Sequence, residues 1–156
     1  MRKRIIGHVQ QGTEPPGDWL NVEGLAEVEI TSEDAAHPIE FALVPGSASG
    51  WRAAGSGKQT IRLVFAHPQR LRRIWMNFVE TRTERHQEYV LRWSADGGQS
   101  FREIVRQQWN FSPQGATGET EDHHVDLPAV TVLELNIIPD TSGGEAVASL
   151  EQLRLA

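Results

Sequence analysis

The sequence predicts an all-β fold, an antiparallel β-sandwich, on three observations. Short runs of β-branched and aromatic residues alternate with polar residues from Trp19 onward. Turn-forming residues separate these runs about every ten positions, and no long segment shows the apolar periodicity of a helix. The length of 156 residues fits one domain. Because Pro15, Pro16 and Gly17 interrupt regular structure, we predict an N-terminal arm over residues 1–18 and a single sandwich domain over residues 19–156.

The first half of the domain supplies four predicted strands. In Thr60–Phe65 the apolar side chains alternate with polar ones, which is typical of a half-buried strand. Arg73–Val79 carries bulky residues on both faces, so we expect it to lie centrally between packed layers. The four predicted strands are Ala26–Ile30, Ile39–Val44, Thr60–Phe65 and Arg73–Val79.

The second half supplies the remaining strands. The Asp96-Gly97-Gly98 segment predicts a tight hairpin turn, because glycine adopts the positive φ that such turns need. Val130–Ile138 is predicted to direct its leucines and Ile137 inward. The predicted strands are Glu88–Trp93, Phe101–Trp109, His124–Leu127, Val130–Ile138 and Ala148–Leu155. About eight or nine strands can form two packed sheets without crossover helices.

Composition narrows the function classes. The formal net charge of −6 disfavours binding to phosphate backbones, so nucleic acid is an unlikely partner. The absence of cysteine excludes disulfides and thiolate metal sites. The basic start is followed by only two apolar residues, Ile5 and Ile6, which is too short for a signal peptide, and no apolar run could span a bilayer. We therefore expect a cytoplasmic protein without a membrane segment.

Five segments, in this order, resemble the galactose-binding-domain-like jelly roll, the family of discoidin domains and many carbohydrate-binding modules. They are Gly50–Ala53, Gln59–Phe65, Leu71–Ile74, Tyr89–Ser94 with Asp96-Gly97-Gly98, and Ala148–Leu155. The resemblance covers most of residues 20–156 and implies a jelly-roll sandwich that binds a carbohydrate or another small polar ligand. Residues Trp51–Gly55 also resemble the N-terminal domain of a eukaryotic single-strand-break repair scaffold, which leaves binding to a protein or a DNA end open.

The family's structural calcium ion is not expected here. The loop Val44–Gly50 has no carboxylate, although the family often places an aspartate there. Gln152 stands where a carboxylate is usual, and Glu151 would point to the opposite face of a regular strand. Calcium prefers several oxygen ligands that include charged ones. We therefore predict no cofactor and no metal ligand, with a structural calcium ion disfavoured.

No catalytic constellation is complete, so we predict that the protein is not an enzyme. The stretch Gly55–Thr60 imitates a phosphate-binding loop, but Gln59 replaces the magnesium-binding hydroxyl residue and no helix follows. His123 and His124 would face opposite sides of a strand, so they do not form a metal pair. The acidic residues Glu80, Glu84, Glu88, Glu119, Glu121 and Asp122 lie near loops, and no spacing marks a glycosidase pair among them.

The predicted binding site lies in two loops at one end of the sandwich, Glu80–Gln87 and Asn110–Asp122. Sugars are held by stacking on aromatic rings and by planar hydrogen-bond donors. The candidate ligand-binding residues are Arg82, Arg85, His86, Trp109, Asn110 and Phe111. In the alternative interpretation, Trp109 and Phe111 cap the core while the arginines pair with nearby glutamates.

Two function hypotheses follow. The first is a non-catalytic module that binds a carbohydrate or another small polar ligand through these loops. The second is a protein-protein interaction module, a scaffold or oligomerisation domain in which exposed arginine and tryptophan form the contact. The oligomeric state is left open.

Overall fold

The computed structural model describes residues 15–47 and 50–156. In chain order its elements are α1 (Val22–Leu25), β1 (Ala26–Ile30), α2 (Glu40–Leu43), β2 (Trp51–Ser56), β3 (Gln59–Val79), β4 (Arg85–Ser94), β5 (Arg102–Phe111), β6 (Gly118–Ile138), β7 (Val147–Leu150) and β8 (Gln152–Leu155). The all-β prediction is confirmed. Neither helix of the described ranges is long and apolar enough to cross a membrane.

The two long strands, β3 and β6, run antiparallel and join both layers of the sandwich. The first half of β3 and the second half of β6 form one layer with β1, β4 and β5, in the order β1-β3-β6-β4-β5. The second half of β3 pairs with the start of β6 and with β8, while β2 and β7 form a separate two-stranded sheet. Phe78 in the second half of β3 stacks on Tyr89 of β4, with ring centroids 5.4 Å apart. The two layers therefore face each other.

The core lies between these layers, and the predicted alternation places it correctly. Ile61, Leu63 and Phe65 are buried, as are the predicted inward residues of β6, Leu133, Leu135 and Ile137. The second half of β3 is buried on both faces, which confirms its predicted central position. Trp51 is fully buried, as we expect of a residue that begins a strand closing the sandwich.

The strand predicted over Ile39–Val44 is wrong, because the structure has the single helical turn α2 there. Ala42 and Leu43 are adjacent and both buried, which fits a helix but not the alternation of a strand. The backbone N–H of Ile39 donates to Glu33 Oε2 at 2.9 Å and so holds the start of the turn. Short apolar runs do not separate helix from strand by periodicity.

The predicted loops are too long, because the strands extend into them. Residues 85–87 belong to β4, so the loop predicted over Glu80–Gln87 spans only residues 80–84. The loop predicted over Asn110–Asp122 shrinks to residues 112–117, between β5 and β6. His67 and Pro68 lie within β3 rather than in a turn, where the pairing with β6 is irregular. A proline, which has no N–H, is tolerated at such an irregularity.

The predicted hairpin turn is confirmed. Gly97 and Gly98 have φ angles of 74° and 96°, which favour glycine. The Asp96 carboxylate accepts hydrogen bonds from the Ser94 and Ser100 hydroxyls, both at 2.6 Å. Hydrogen bonds from Ser100 and Ser94 lower the pKa of Asp96 to about 2. The predicted N-terminal arm lies mostly outside the described residues, so its boundary stays a prediction.

Candidate ligand-binding site at the loop end

The structure brings the predicted site residues together only as two pairs, Arg85 with Phe111 and His86 with Asn110, and the first pair is inside the core. Arg85 and Phe111 are fully buried, with the guanidinium 4.6 Å from the centre of the phenyl ring. Because neither side chain reaches solvent, neither can contact a ligand from the surface. For these two residues the structure matches the alternative interpretation, in which Phe111 caps the core and Arg85 pairs with a glutamate.

Arg85 organises the interior of the loop end. Its guanidinium donates to Glu80 Oε1 at 2.9 Å, Gln87 Oε1 at 3.0 Å, the Pro139 carbonyl oxygen at 3.0 Å and Ser149 Oγ at 3.3 Å. Burial lowers the pKa of Arg85, and the ion pair with Glu80 opposes that shift. Four partners from four separate segments are thereby fixed around one cation. The role of Arg85 is to hold the loops in place.

The other four predicted residues remain on the surface but do not share one patch. His86 Nδ1 and Asn110 Oδ1 are 2.7 Å apart on neighbouring strands. Trp109 is 36% exposed and precedes Asn110, so its side chain points to the other face of β5. Arg82 is exposed in the loop of residues 80–84, where its backbone N–H donates to Glu80 Oε2 at 3.2 Å.

A small polar pocket lies at this loop end, next to Glu80. Its volume is about 140 Å³. Its lining combines two potential cations, two carboxylates, hydroxyl groups and the edges of two apolar residues. The lining residues are His37, Gly50, Trp51, Arg52, Val79, Glu80, Thr81, Ser149 and Glu151. Arg82 follows the pocket residue Thr81, so one predicted loop borders the pocket.

Backbone contacts between distant segments build this pocket. Arg52 N–H donates to the His37 carbonyl oxygen at 3.2 Å, and its own carbonyl accepts from Asp34 N–H at 2.8 Å. Gly50 packs so closely on the end of β7 that a Cβ atom there would lie 2.5 Å from the Leu150 carbonyl oxygen. Only glycine fits this position without a backbone shift. Gly50, directly before β2, is thus held against Glu151.

Arg52 is the pocket's available donor. Within the described part of the chain, its guanidinium has no hydrogen-bond or ion-pair partner, although it interacts electrostatically with Asp34, and the residue is only partly exposed. His37 has Nδ1 3.3 Å from Asp34 Oδ2. The Ala36 backbone N–H and the His37 ring together lower the pKa of Asp34. An unpaired planar cation beside a histidine and a carboxylate can hydrogen-bond a polar ligand.

The residues at this end do not fit a calcium ion. Across residues 15–47 and 50–156, no group of three or more His, Asp or Glu side chains is arranged to hold a metal. Of the two pocket carboxylates, Glu80 is already bound by Arg85. A hard cation needs more charged oxygen ligands than remain.

Sequence reasoning missed Arg52 and His37 as site residues. His37 precedes a proline, and that pattern indicates only a turn. Arg52 follows the buried Trp51, so the alternation of a strand does place it on the opposite side. That alternation was the available signal, but it gave no indication that a distant turn would pack beside Arg52.

Comparison with known proteins identifies the fold. No protein-family model and no curated protein matches the sequence. A family 32 carbohydrate-binding module from Clostridium perfringens, solved with GalNAc-β-1,3-galactose, is 18% identical with a TM-score of 0.65, over 88% of this chain and 99% of that one. The family 32 module of NanJ from C. perfringens, solved with galactose, is 14% identical with a TM-score of 0.60, over 88% and 96%.

A pectin-binding carbohydrate-binding module is 16% identical with a TM-score of 0.58, over 84% of this chain and 89% of that one. The chain therefore has the galactose-binding-domain-like jelly-roll fold, which confirms the resemblance read from its strand segments.

Proposed function

We propose that this chain is a non-catalytic carbohydrate-binding module that takes a sugar residue at the loop-end pocket. The observation that carries the proposal is the unpaired Arg52 guanidinium in a polar pocket of about 140 Å³. Arginine, histidine and carboxylate side chains offer the donors and acceptors that sugar hydroxyls need. A pocket of this size suits one sugar ring at the end of a chain rather than a long polymer.

The ligands with which two structural neighbours were solved support this proposal. These two neighbours were solved with galactose or a galactose-containing disaccharide, and both cover most of this chain. Galactose and GalNAc-β-1,3-galactose are therefore the first ligands to test.

The proposed absence of catalysis rests on how the pocket carboxylates are used. Glu80 lies in an ion pair with buried Arg85 and also accepts from the Arg82 backbone. A glycosidase needs two acids free to act on opposite sides of one bond. With Glu80 engaged in this way, Glu151 is left as a single carboxylate, and binding is the chemistry that remains.

Isothermal titration with galactose and with GalNAc-β-1,3-galactose tests the proposal. We expect saturable binding that Arg52→Ala weakens about tenfold or more, because the variant removes a charged hydrogen-bond donor. Arg72→Gln is the matched control, since Arg72 is exposed and does not line the pocket. Equal affinities for wild type and Arg52→Ala, with both proteins folded, would overturn the proposed site.

Exposed Trp109 favours a second candidate, a protein-protein contact. It is the one large hydrophobic side chain exposed among the described residues, and tryptophan is enriched at interaction hot spots. A pull-down with wild type should then recover a partner that Trp109→Ala or Arg82→Ala loses. Retention of the partner by both variants would exclude this surface.

A further inference from the structure

A row of alternating charges crosses the outer face of the five-stranded layer. Antiparallel register places Glu29 beside Arg62, Arg62 beside Glu134, Glu134 beside Arg92, and Arg92 beside Glu103. Residues directly opposite on paired strands have side chains on the same face. Arg62 and Arg92 therefore flank Glu134, two strand spacings or about 9–10 Å apart at the backbone.

Glu134 is the fixed centre of this row. Its side chain is fully buried, although it lies on the outer face. It accepts from Arg62 Nε at 2.7 Å, from Arg92 Nη2 at 2.6 Å and from Asn136 Nδ2. Burial alone would raise the pKa of Glu134, but these hydrogen bonds lower it below its usual range. The carboxylate is therefore ionised and holds both arginines in place.

The flanking cations keep unused donors. Arg62 donates only through Nε, so its two terminal nitrogens have no partner among the residues described. Arg92 donates through Nε and Nη2, and its Nη1 has no hydrogen-bond partner among the described residues. Lys58 is exposed and unpaired within these ranges. An arginine side chain that a buried carboxylate already fixes loses less conformational entropy on binding a second anion than a mobile arginine would.

These groups line a groove of about 310 Å³. Its walls hold four cationic and two anionic side chains, so the groove is positive in a chain whose net charge is −6. Two apolar residues, a threonine and an asparagine complete the lining. None of the lining residues is aromatic, so the groove offers no ring for a sugar to stack on. The lining residues are Lys58, Thr60, Arg62, Glu88, Val90, Arg92, Arg106, Glu134, Asn136 and Ile138.

We propose that this groove is a second binding site, for an acidic oligosaccharide whose uronic-acid carboxylates pair with Lys58, Arg62 and Arg92. A guanidinium can bind a carboxylate through two parallel hydrogen bonds. An oligouronate carries its charges along a chain, and the cations of the groove are likewise spread over β3, β4, β5 and the turn before β3. This site shares no lining residue with the loop-end pocket and does not depend on that pocket.

Titration with tetragalacturonate and with its methyl ester tests the charge requirement. The two ligands have the same ring number and hydroxyl groups, but the ester has no charge. We expect the acid to bind about tenfold or more tightly than the ester, and to weaken as salt rises. Equal binding of acid and ester, or no binding of the acid, would overturn the proposal.

Variants separate the two sites. Lys58→Gln and Arg62→Gln should each weaken tetragalacturonate binding about three- to tenfold, while Arg72→Gln, which removes the same charge elsewhere, should not. Arg52→Ala should leave tetragalacturonate binding unchanged, even where it abolishes galactose binding. Loss of tetragalacturonate binding in Arg52→Ala, or full retention of it in the Lys58 and Arg62 variants, would place the acid elsewhere and overturn the groove proposal.

Discussion

Two carboxylate-arginine clusters in this sandwich use the same chemistry in opposite settings. At the loop end, Arg85 and its partner Glu80 are both buried, and the arginine spends its donors on protein atoms. On the outer sheet face, Glu134 is buried but its arginines are 43% and 38% exposed. The inner cluster is therefore structural, while the outer one keeps donors for a ligand. Exposure of the cation, rather than the ion pair itself, decides between the two roles.

The largest expected effect comes from breaking the inner cluster. Arg85→Met should lower the free energy of unfolding by about 3–5 kcal/mol, because Glu80 is left as a buried charge without its ion-pair partner. Urea denaturation measures this loss. Adding Glu80→Gln should restore part of the stability, since the stranded charge is removed. A loss below about 1 kcal/mol in the single variant would mean that the pair is not buried as described.

The inner cluster should also make stability depend on pH through Glu119. Burial, with the neighbouring Glu121, raises the pKa of Glu119 from 4.5 to about 8, while Gln87 donates to it at 3.2 Å. The folded state therefore holds this proton more tightly than the unfolded state. The protonated Glu119 carboxyl therefore makes its full contribution to the free energy of unfolding below pH 4.5. That contribution is lost as the pH rises through about 8.

Glu119→Gln should flatten that dependence and raise stability above pH 8 by about 1 kcal/mol or more. Thermal melts from pH 5 to about pH 9 measure it, with exposed Glu84→Gln as the control. If wild type and Glu119→Gln lose stability in parallel over this range, Glu119 is not the group responsible.

Breaking the outer cluster should cost less. Glu134→Gln should lower the free energy of unfolding by about 1–2 kcal/mol, because Arg62 and Arg92 can turn to water once the anion is gone. The same urea measurement gives the value. A loss equal to that of Arg85→Met would erase the distinction between the two clusters.

The smallest effect on stability is expected at the rim of the outer cluster. Arg106 is 54% exposed and pairs with Glu88 at 2.8 Å and with Glu103 at 3.0 Å. Arg106→Gln should change the free energy of unfolding by less than about 0.5 kcal/mol, because exposed ion pairs contribute little to stability. A large loss of stability would show that Arg106 is structural.

Alternation and turn chemistry predicted the layers of this fold from the sequence. The Leu133, Leu135 and Ile137 face and the Asp96-Gly97-Gly98 turn are confirmed because each follows from local residue types. The continuity of β3 through Pro68 could not be predicted, because it depends on pairing with a strand far along the chain.

The candidate site was harder to predict for the same reason. Arg85 is of a residue type that often binds ligands, yet Pro139 and Ser149 enclose it from segments more than 50 positions away. Arg52 is of the same type, and it becomes a candidate site residue only because the turn at His37 packs on β2. Residue type indicated polar chemistry at one end of the sandwich, whereas tertiary contacts decide which side chains are available.

The most direct test of the central claim is an NMR titration of the labelled protein with galactose and GalNAc-β-1,3-galactose. The account predicts that the perturbed backbone amides cluster at the loop-end pocket, around His37, Arg52, Thr81 and Glu151, and that the perturbations saturate. Perturbations confined to His86, Trp109 and Asn110, or none at all with intact protein, would contradict it.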